Sequence, residues 1–222
     1  MRLYDFFWSN APSRVRIALA LKRVPVETFT VDVAAGSQHS ERFQKLNPLS
    51  YVPVLEVDGI PITQSMAILE YLESRYPSPA LLPADIAGQA RVRSLAFILA
   101  CDSQPLVNLR IRRFLQDDLG LERRQMEHWV RHWIAAGLEA YEKTVAGHPD
   151  TGEFSHGDSP SFADVCLAPH VVMAKRFGLD TEAFPWIRRI YANSLKLEAF
   201  SRALLPAGEK PPLEWMTFGE PR

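Results

Sequence analysis

Apolar and polar positions change their period at a proline-rich stretch about a third of the way along the chain. Before it the apolar runs are short and strand-like. Residues 3–7 form a compact apolar-aromatic run ended by Ser9-Asn10-Ala11-Pro12, and they predict a first strand. Pro12 suits the first turn of a helix, where its missing N–H costs nothing. Val15, Ala18, Leu19 and Lys22 carry the helical period to about Arg23. Residues 26–33 alternate apolar with polar and predict a second strand, and residues 40–46 a short helix closed by Asn47-Pro48. Val54-Leu55-Glu56-Val57 is a β-branched strand, Asp58-Gly59 a two-residue hairpin signal, and Pro61-Ile62-Thr63 a short return strand at an edge, where proline does least damage. Ser65 is then the expected N-cap of a helix over 65–76. The predicted order is β-α-β-α-β-β-α.

Pro77-Ser78-Pro79 through Pro83 marks a connection, and beyond it only long helical periods occur. Residues 87–119 predict one long helix, with a kink at Gln104-Pro105. Residues 121–145 predict another, whose face carries Trp129, Trp133, Leu138 and Tyr141. Residues 147–160 are a loop rich in Gly, Asp and Ser. Ser161-Phe162-Ala163-Asp164 opens the next helix with a variant of the capping box. Two short helices are expected over 181–204. The Pro- and Glu-rich tail at 206–222 is expected to be ordered only where it packs on the body.

Composition narrows the class without naming an activity. The 222 residues are 47% hydrophobic and 23% charged, ordinary for a globular protein, and allow one large or two modest domains. A net charge of −1 gives no electrostatic case for a nucleic acid or an anionic membrane as partner. Cys101 and Cys166 lie in apolar helical patterns with no metal or redox spacing, so both are expected to be buried thiols. No secretion signal or membrane span is expected, which points to the cytoplasm. His128 and His132 lie four apart on a helix, but no third ligand follows, so a solvated face is expected. There is no P-loop, GxGxxG or nucleophile elbow.

The hairpin has the character of a peptide site. The bond into Pro53 is a candidate cis peptide. It would turn the Val52 N–H and C=O outward to pair with an extended peptide. Gln64 and the free N–H groups at the Ser65 helix start face the same place and suit a carboxylate. Ser9, between the first strand and a helix start, could donate to a thiolate that the helix N-terminus also favours, or could simply cap the helix.

Val52-Pro53 followed by Gln64-Ser65 resembles the glutathione-binding half of the glutathione transferases. The stretch Arg14-Val15-Arg16-Ile17-Ala18-Leu19-Ala20-Leu21-Lys22 resembles the first helix of their zeta class, which includes maleylacetoacetate and maleylpyruvate isomerases. The resemblance runs from about Leu3 to about Leu204. It implies an α/β thioredoxin-like N-terminal domain (1–77), a linker (78–86), an all-α C-terminal domain (87–205) and a tail (206–222). It also implies glutathione as cofactor, a small electrophile or dicarboxylate as substrate, and a homodimer.

The resemblance assigns roles residue by residue. Ser9, with Asn10 beside it, would carry the catalysis. Gln38, the Val52 backbone, Gln64 and Ser65 would hold glutathione. Gln104 and Asn108, in Gln104-Pro105-Leu106-Val107-Asn108-Leu109, would reach across the cleft toward it. Arg176 would anchor a substrate carboxylate, with Trp8 and Arg110 nearby. Read without the resemblance, Gln38 is a solvated loop residue and Asn108 lies on a wet helix face. Arg176 then offsets a helix dipole, and Arg110 shares a basic face with Arg112 and Arg113. Arg14 and Arg16 read as structural. The zeta pattern Arg-Ser-Ser-Cys-Ser-Trp-Arg is here Trp8-Ser9-Asn10-Ala11-Pro12-Ser13-Arg14. Trp8 thus replaces a cation by an apolar ring and leaves room for a more hydrophobic electrophile. The implied reaction is glutathione-dependent cis–trans isomerisation of a maleyl-type dicarboxylate. The alternatives are conjugation or dehalogenation of hydrophobic electrophiles, and a non-catalytic binding module.

Overall fold

Residues 1–204 are described in the computed structural model, and the expectation for the tail at 206–222 lies outside them. Four short strands form one mixed sheet. β1 (Arg2–Asp5) pairs parallel with β2 (Glu27–Thr30) and antiparallel with β3 (Val54–Val57), which pairs antiparallel with β4 (Ile60–Thr63), giving the order β2-β1-β3-β4. The second strand is shorter than the alternation at 26–33 suggests, because its neighbour β1 offers only four residues to pair with. Helices α1 (Asn10–Leu21), α2 (Glu41–Leu46) and α3 (Ser65–Arg75) complete the thioredoxin-like part. The order matches the expected one. Leu3, Val15, Ile17, Leu55, Ile68, Leu69 and Leu72 are completely buried between sheet and helices. Each such side chain contributes about 1.5–3 kcal/mol relative to exposure.

The connection after α3 is pinned from within. The Lys22 ammonium, wholly buried in its side chain, donates to the carbonyls of Tyr76 (2.6 Å) and Pro79 (2.9 Å) and pairs with Glu73 at 2.7 Å. Glu73 in turn accepts from the Leu81 and Leu82 amides. Removing either charge would strand the other, at a cost of about 3–5 kcal/mol.

The helical part follows: α4 (Ile86–Phe97), α5 (Leu109–Arg113), α6 (Arg123–Val145), α7 (Phe162–Arg176), α8 (Pro185–Leu195) and α9 (Glu198–Leu204). The expected long helix over 87–119 is not continuous. α4 widens into a π-helical stretch at Ile98–Ser103, tightens into a 3₁₀ turn at Gln104–Val107, and stops at Asn108, whose ψ of 165° is extended. Pro105 lacks the N–H that would carry the helix through, so the chain breaks rather than kinks and restarts as α5. Cys101 lies on the outer face of the wide turn and is exposed, contrary to expectation, while Leu99, Ala100 and Ser103 turn inward; Cys166 is buried as expected. His128 and His132 stack on the exposed face of α6.

α7 is the central helix, buried continuously from Phe162 to Val171. Its capping box forms as the sequence indicates. The Asp164 carboxylate accepts from the Ser161 amide and hydroxyl (both 2.8 Å) and from the Ser155 amide (2.9 Å). Nearly two turns further along, the Ser103 hydroxyl donates to the Trp133 carbonyl (2.8 Å), so the 3.1 Å contact between its oxygen and His170 Nε2 is donated by the imidazole. Gly137 permits this: a Cβ there would lie 2.7 Å from Ser103 Cβ.

Burial, and secondarily the Arg14 charge, depresses the His170 pKa to about 3. The unfolded chain therefore binds a proton at His170 below about pH 6.5, and the folded chain does not until about pH 3. This contribution to stability is complete above pH 6.5 and is lost as pH falls toward 3. Chemical denaturation between pH 7 and 4 should show a His170 component approaching about 1.4 kcal/mol per pH unit, absent in His170→Phe.

Candidate active site

Ser9 stands at the N-cap position of α1, half-buried, with φ −91° and ψ 134°. Its carbonyl accepts from the Ser13 amide (3.1 Å) and hydroxyl (2.9 Å). Its own hydroxyl makes no cap hydrogen bond. The capping alternative therefore fails, and among the described residues the Ser9 hydroxyl is left available at the positive end of a 12-residue helix. Asn10 is buried, and its Nδ2 donates to the Met173 sulfur of α7 at 3.3 Å.

α7 also delivers Arg176 to this place. Its Nη1 donates to the Trp8 carbonyl (3.2 Å), and its guanidinium carbon lies 5.7 Å from the centre of the indole ring. Burial holds the Arg176 pKa down at about 10, which still leaves it cationic at neutral pH. Arg112 of α5 packs over the Phe177 ring at 5.4 Å and is buried, so it is not part of a solvated basic face. Burial, then the Arg176 and Arg113 charges, lowers its pKa to about 10. Trp8, Ser9, Asn10, Met173, Arg176 and Arg112 thus form one neighbourhood.

The second neighbourhood is the hairpin. The Val52–Pro53 bond is cis, and β3 begins only at Val54, so Val52 lies ahead of the ladder. Gln64, not Ser65, is the N-cap of α3: it takes φ 69° and ψ 117° and is exposed. Ser65 is the first helical residue, and its hydroxyl is engaged elsewhere. The fully buried Arg14 donates to Ser65 Oγ from Nη1 at 3.2 Å. Gln38 sits in the 3₁₀ turn Ser37–His39, buried rather than solvated, and its Oε1 has no hydrogen-bond partner among the described residues.

The helical part meets the hairpin at Arg110, which is exposed, donates to the Tyr51 hydroxyl and lies 4.7 Å from the ring centre. Arg113 reaches the Ala34 carbonyl at 3.4 Å. Asn108 is corrected from a mid-helix residue to the N-cap of α5, its Oδ1 accepting from the Ile111 amide at 3.2 Å. Half of its amide is therefore spent locally. Gln104 opens the 3₁₀ turn and is half-buried. The residues missed from sequence are Tyr51, Met173, Arg112 and the contact of Arg14 with Ser65. Only Arg14 left a signal, a charge one turn before Ala18 on the buried stripe of α1.

The profile of the glutathione S-transferase N-terminal domain matches residues 1–74. With a mixed sheet, a Ser9 hydroxyl at one helix start and Ser65 at another, the chain belongs to the glutathione S-transferase family. Its similarity runs through the helical part as well. Maleylpyruvate isomerase of a Ralstonia species is 43% identical over 203 residues, covering 91% of this chain and 96% of that protein. A holo structure of maleylpyruvate isomerase, described as a bacterial zeta-class glutathione S-transferase, superimposes with a TM-score of 0.89 at 43% identity, covering 91% and 96%. Maleylacetoacetate isomerase of Anaeromyxobacter dehalogenans 2CP-1, with dicarboxyethyl glutathione and citrate bound in its active site, gives 0.81 at 41% identity, covering 95% and 97%.

The pairing of Trp8 with Arg176 is directly measurable. A double-mutant cycle over Trp8→Ala and Arg176→Met, read by chemical denaturation, should give a coupling of about 0.5–1 kcal/mol. Strict additivity would show that the stacked geometry contributes nothing to stability.

Proposed function

We propose that the chain is a zeta-class glutathione-dependent isomerase that converts a maleyl-type dicarboxylate, maleylacetoacetate or maleylpyruvate, from cis to trans. The observation that carries this reading is the juxtaposition at α1. An uncommitted hydroxyl on Ser9 and a half-buried cation on Arg176 flank the Trp8–Ser9 backbone, one suited to a thiolate and the other to a carboxylate. The names of the similar isomerases and the dicarboxyethyl glutathione bound to one of them support the same chemistry.

The residues present fit an anionic tripeptide. The N–H groups at the start of α3, the Ser65 hydroxyl, the unpartnered Gln38 oxygen and the Val52 backbone ahead of the ladder offer a donor set with acceptors beside it. When bound there, glutathione would supply a thiolate, the chemistry that reversible addition to a conjugated alkene requires. Ser9 donates to that sulfur and, with the α1 N-terminus, favours the ionised form. Arg176 binds the carboxylate in a charge-assisted pair while its Nη1 remains close to the Trp8 carbonyl. Asn10, tied to Met173, holds the first turn of α1 in place. Gln104, and the amide nitrogen that Asn108 keeps free of its cap, line the helical wall. Arg110 over Tyr51 closes the outer end of the cleft between residues 1–77 and 87–205.

Trp8 favours a second reading, conjugation of hydrophobic electrophiles, because an apolar ring stands where the isomerases resembled carry arginine. A non-catalytic binding module is the third. We also infer a homodimer in the cytoplasm. Leu49, Ile60 and Phe97 are exposed large apolar side chains that an interface would cover, and no helix among the described residues is long and apolar enough to cross a membrane.

Glutathione-dependent isomerisation of maleylpyruvate and maleylacetoacetate tests the reading, with bound glutathione measured alongside. Turnover should vanish without glutathione. Ser9→Ala should lower kcat by about 10²–10³-fold with little change in glutathione affinity. Arg176→Met should raise KM for the dicarboxylate. Glutathione binding with no isomerisation, together with turnover of apolar electrophiles, would replace the isomerase by a conjugating enzyme.

A further inference from the structure

A cavity of about 610 Å³ opens between α7 and α8, within the size range of small-molecule sites. Val171 and Lys175 reach it from α7, one turn apart, whereas Met173 and Arg176 meet Asn10 and Trp8. At about 100° per residue the two pairs point about 150° apart around the helix. The cavity and the candidate active site therefore lie on different sides of α7.

The floor of the cavity is apolar, with Val171 and Ile187 both buried. Tyr191 is buried beside them, and its hydroxyl has no hydrogen-bond partner among the described residues. Burial raises its pKa, so the phenol keeps its proton at neutral pH and can donate. Lys175 Nζ stands 4.7 Å from the centre of that ring. The lining carries three cations, Lys175, Arg188 and Arg189, against one acid, Glu182. Arg188 takes Glu182 at 2.5 Å, so Lys175 and Arg189 have no carboxylate among the described residues.

An apolar floor, a phenol donor and an excess of positive charge suit a ligand that is apolar at one end and anionic at the other. A purely apolar molecule would leave the Tyr191 hydroxyl unpaired, and a small polyanion would leave the floor uncovered. We propose that this cavity is a binding site for small aromatic monocarboxylic acids, with the ring on the Val171–Ile187 floor and the carboxylate between Lys175 and the Tyr191 hydroxyl. The site is separate from the glutathione cleft and does not depend on that reading.

The test is an NMR titration of the isotope-labelled full-length protein with 2-naphthoate and with 2-naphthamide, which has the same rings and no charge. Naphthoate should bind with a Kd of about 1 mM or tighter, shifting the amides of residues 171–175 and 187–192. Naphthamide should bind about tenfold more weakly. Lys175→Gln, at an exposed position, should weaken naphthoate about fivefold and leave naphthamide unchanged. Ala192→Trp, also exposed, should fill the cavity and abolish binding of both. Equal affinity for the two ligands would overturn the proposal, as would naphthoate binding that neither variant alters. Shifts confined to residues 8–10 and 173 would place the acid in the candidate active site and overturn it too. No shift at about tenfold that concentration would do the same.

Discussion

The position of α7 governs the site, and one buried carboxylate sets that position. Asp164 is fully buried, and desolvation raises its pKa, yet the hydrogen bonds from Ser155 and Ser161 oppose that shift and keep the cap closed. Three of the contacts that build the site come from successive turns of the same helix. His170 meets Ser103, Met173 meets Asn10, and Arg176 meets Trp8. A helix turns by about 100° per residue, so a one-residue slip at the cap would carry Arg176 off the Trp8 backbone altogether. A buried, locked N-terminus is what makes a reach of 12 residues from Asp164 to Arg176 reproducible.

The two parts of the chain around the candidate site attract negative charge by different means. The sheet-containing part offers two helix starts, at α1 and α3, each with a serine, and each favours negative charge. The helical part offers guanidinium groups, of which Arg176 and Arg112 are drawn out of water and lowered to about 10. A thiolate and a carboxylate can therefore be held within one small region without any metal-like charge density. The departure at Trp8 fits within this arrangement. Its backbone still receives Arg176, while its ring replaces a third cation with a polarisable face.

What was legible in the sequence was local. The hairpin, the cis bond at Pro53 and the Ser161–Asp164 box each depend on residues no more than a few positions apart. Helix continuity was harder. The apolar period from 87 to 119 persists across Asn108, although the backbone there is extended, because the residues on both sides of the break face the same core. Cap identity at α3 also slipped by one. Serine is the better capping residue, but Gln64 accepts a positive φ and frees Ser65 for a partner 51 positions away. No rule of composition distinguishes the buried Arg112 from its neighbours Arg110 and Arg113, for all three sit in one short helix and only packing decides which one turns inward.

The sequence by itself determined the order of strands and helices, the family and the residue types at the two helix starts, because periodicity, turn chemistry and capping act over a few residues. The tertiary structure decided which of these groups are spent and which remain available. Among the described residues the Ser9 hydroxyl is left uncommitted, Asn108 is half consumed as a cap, and Arg176 is brought to Trp8 from 168 positions away. Arg14, read along the chain as a structural residue, stands behind Ser65. Such pairings depend on how helices cross and on what burial leaves without water, and neither quantity is carried by any one stretch of sequence.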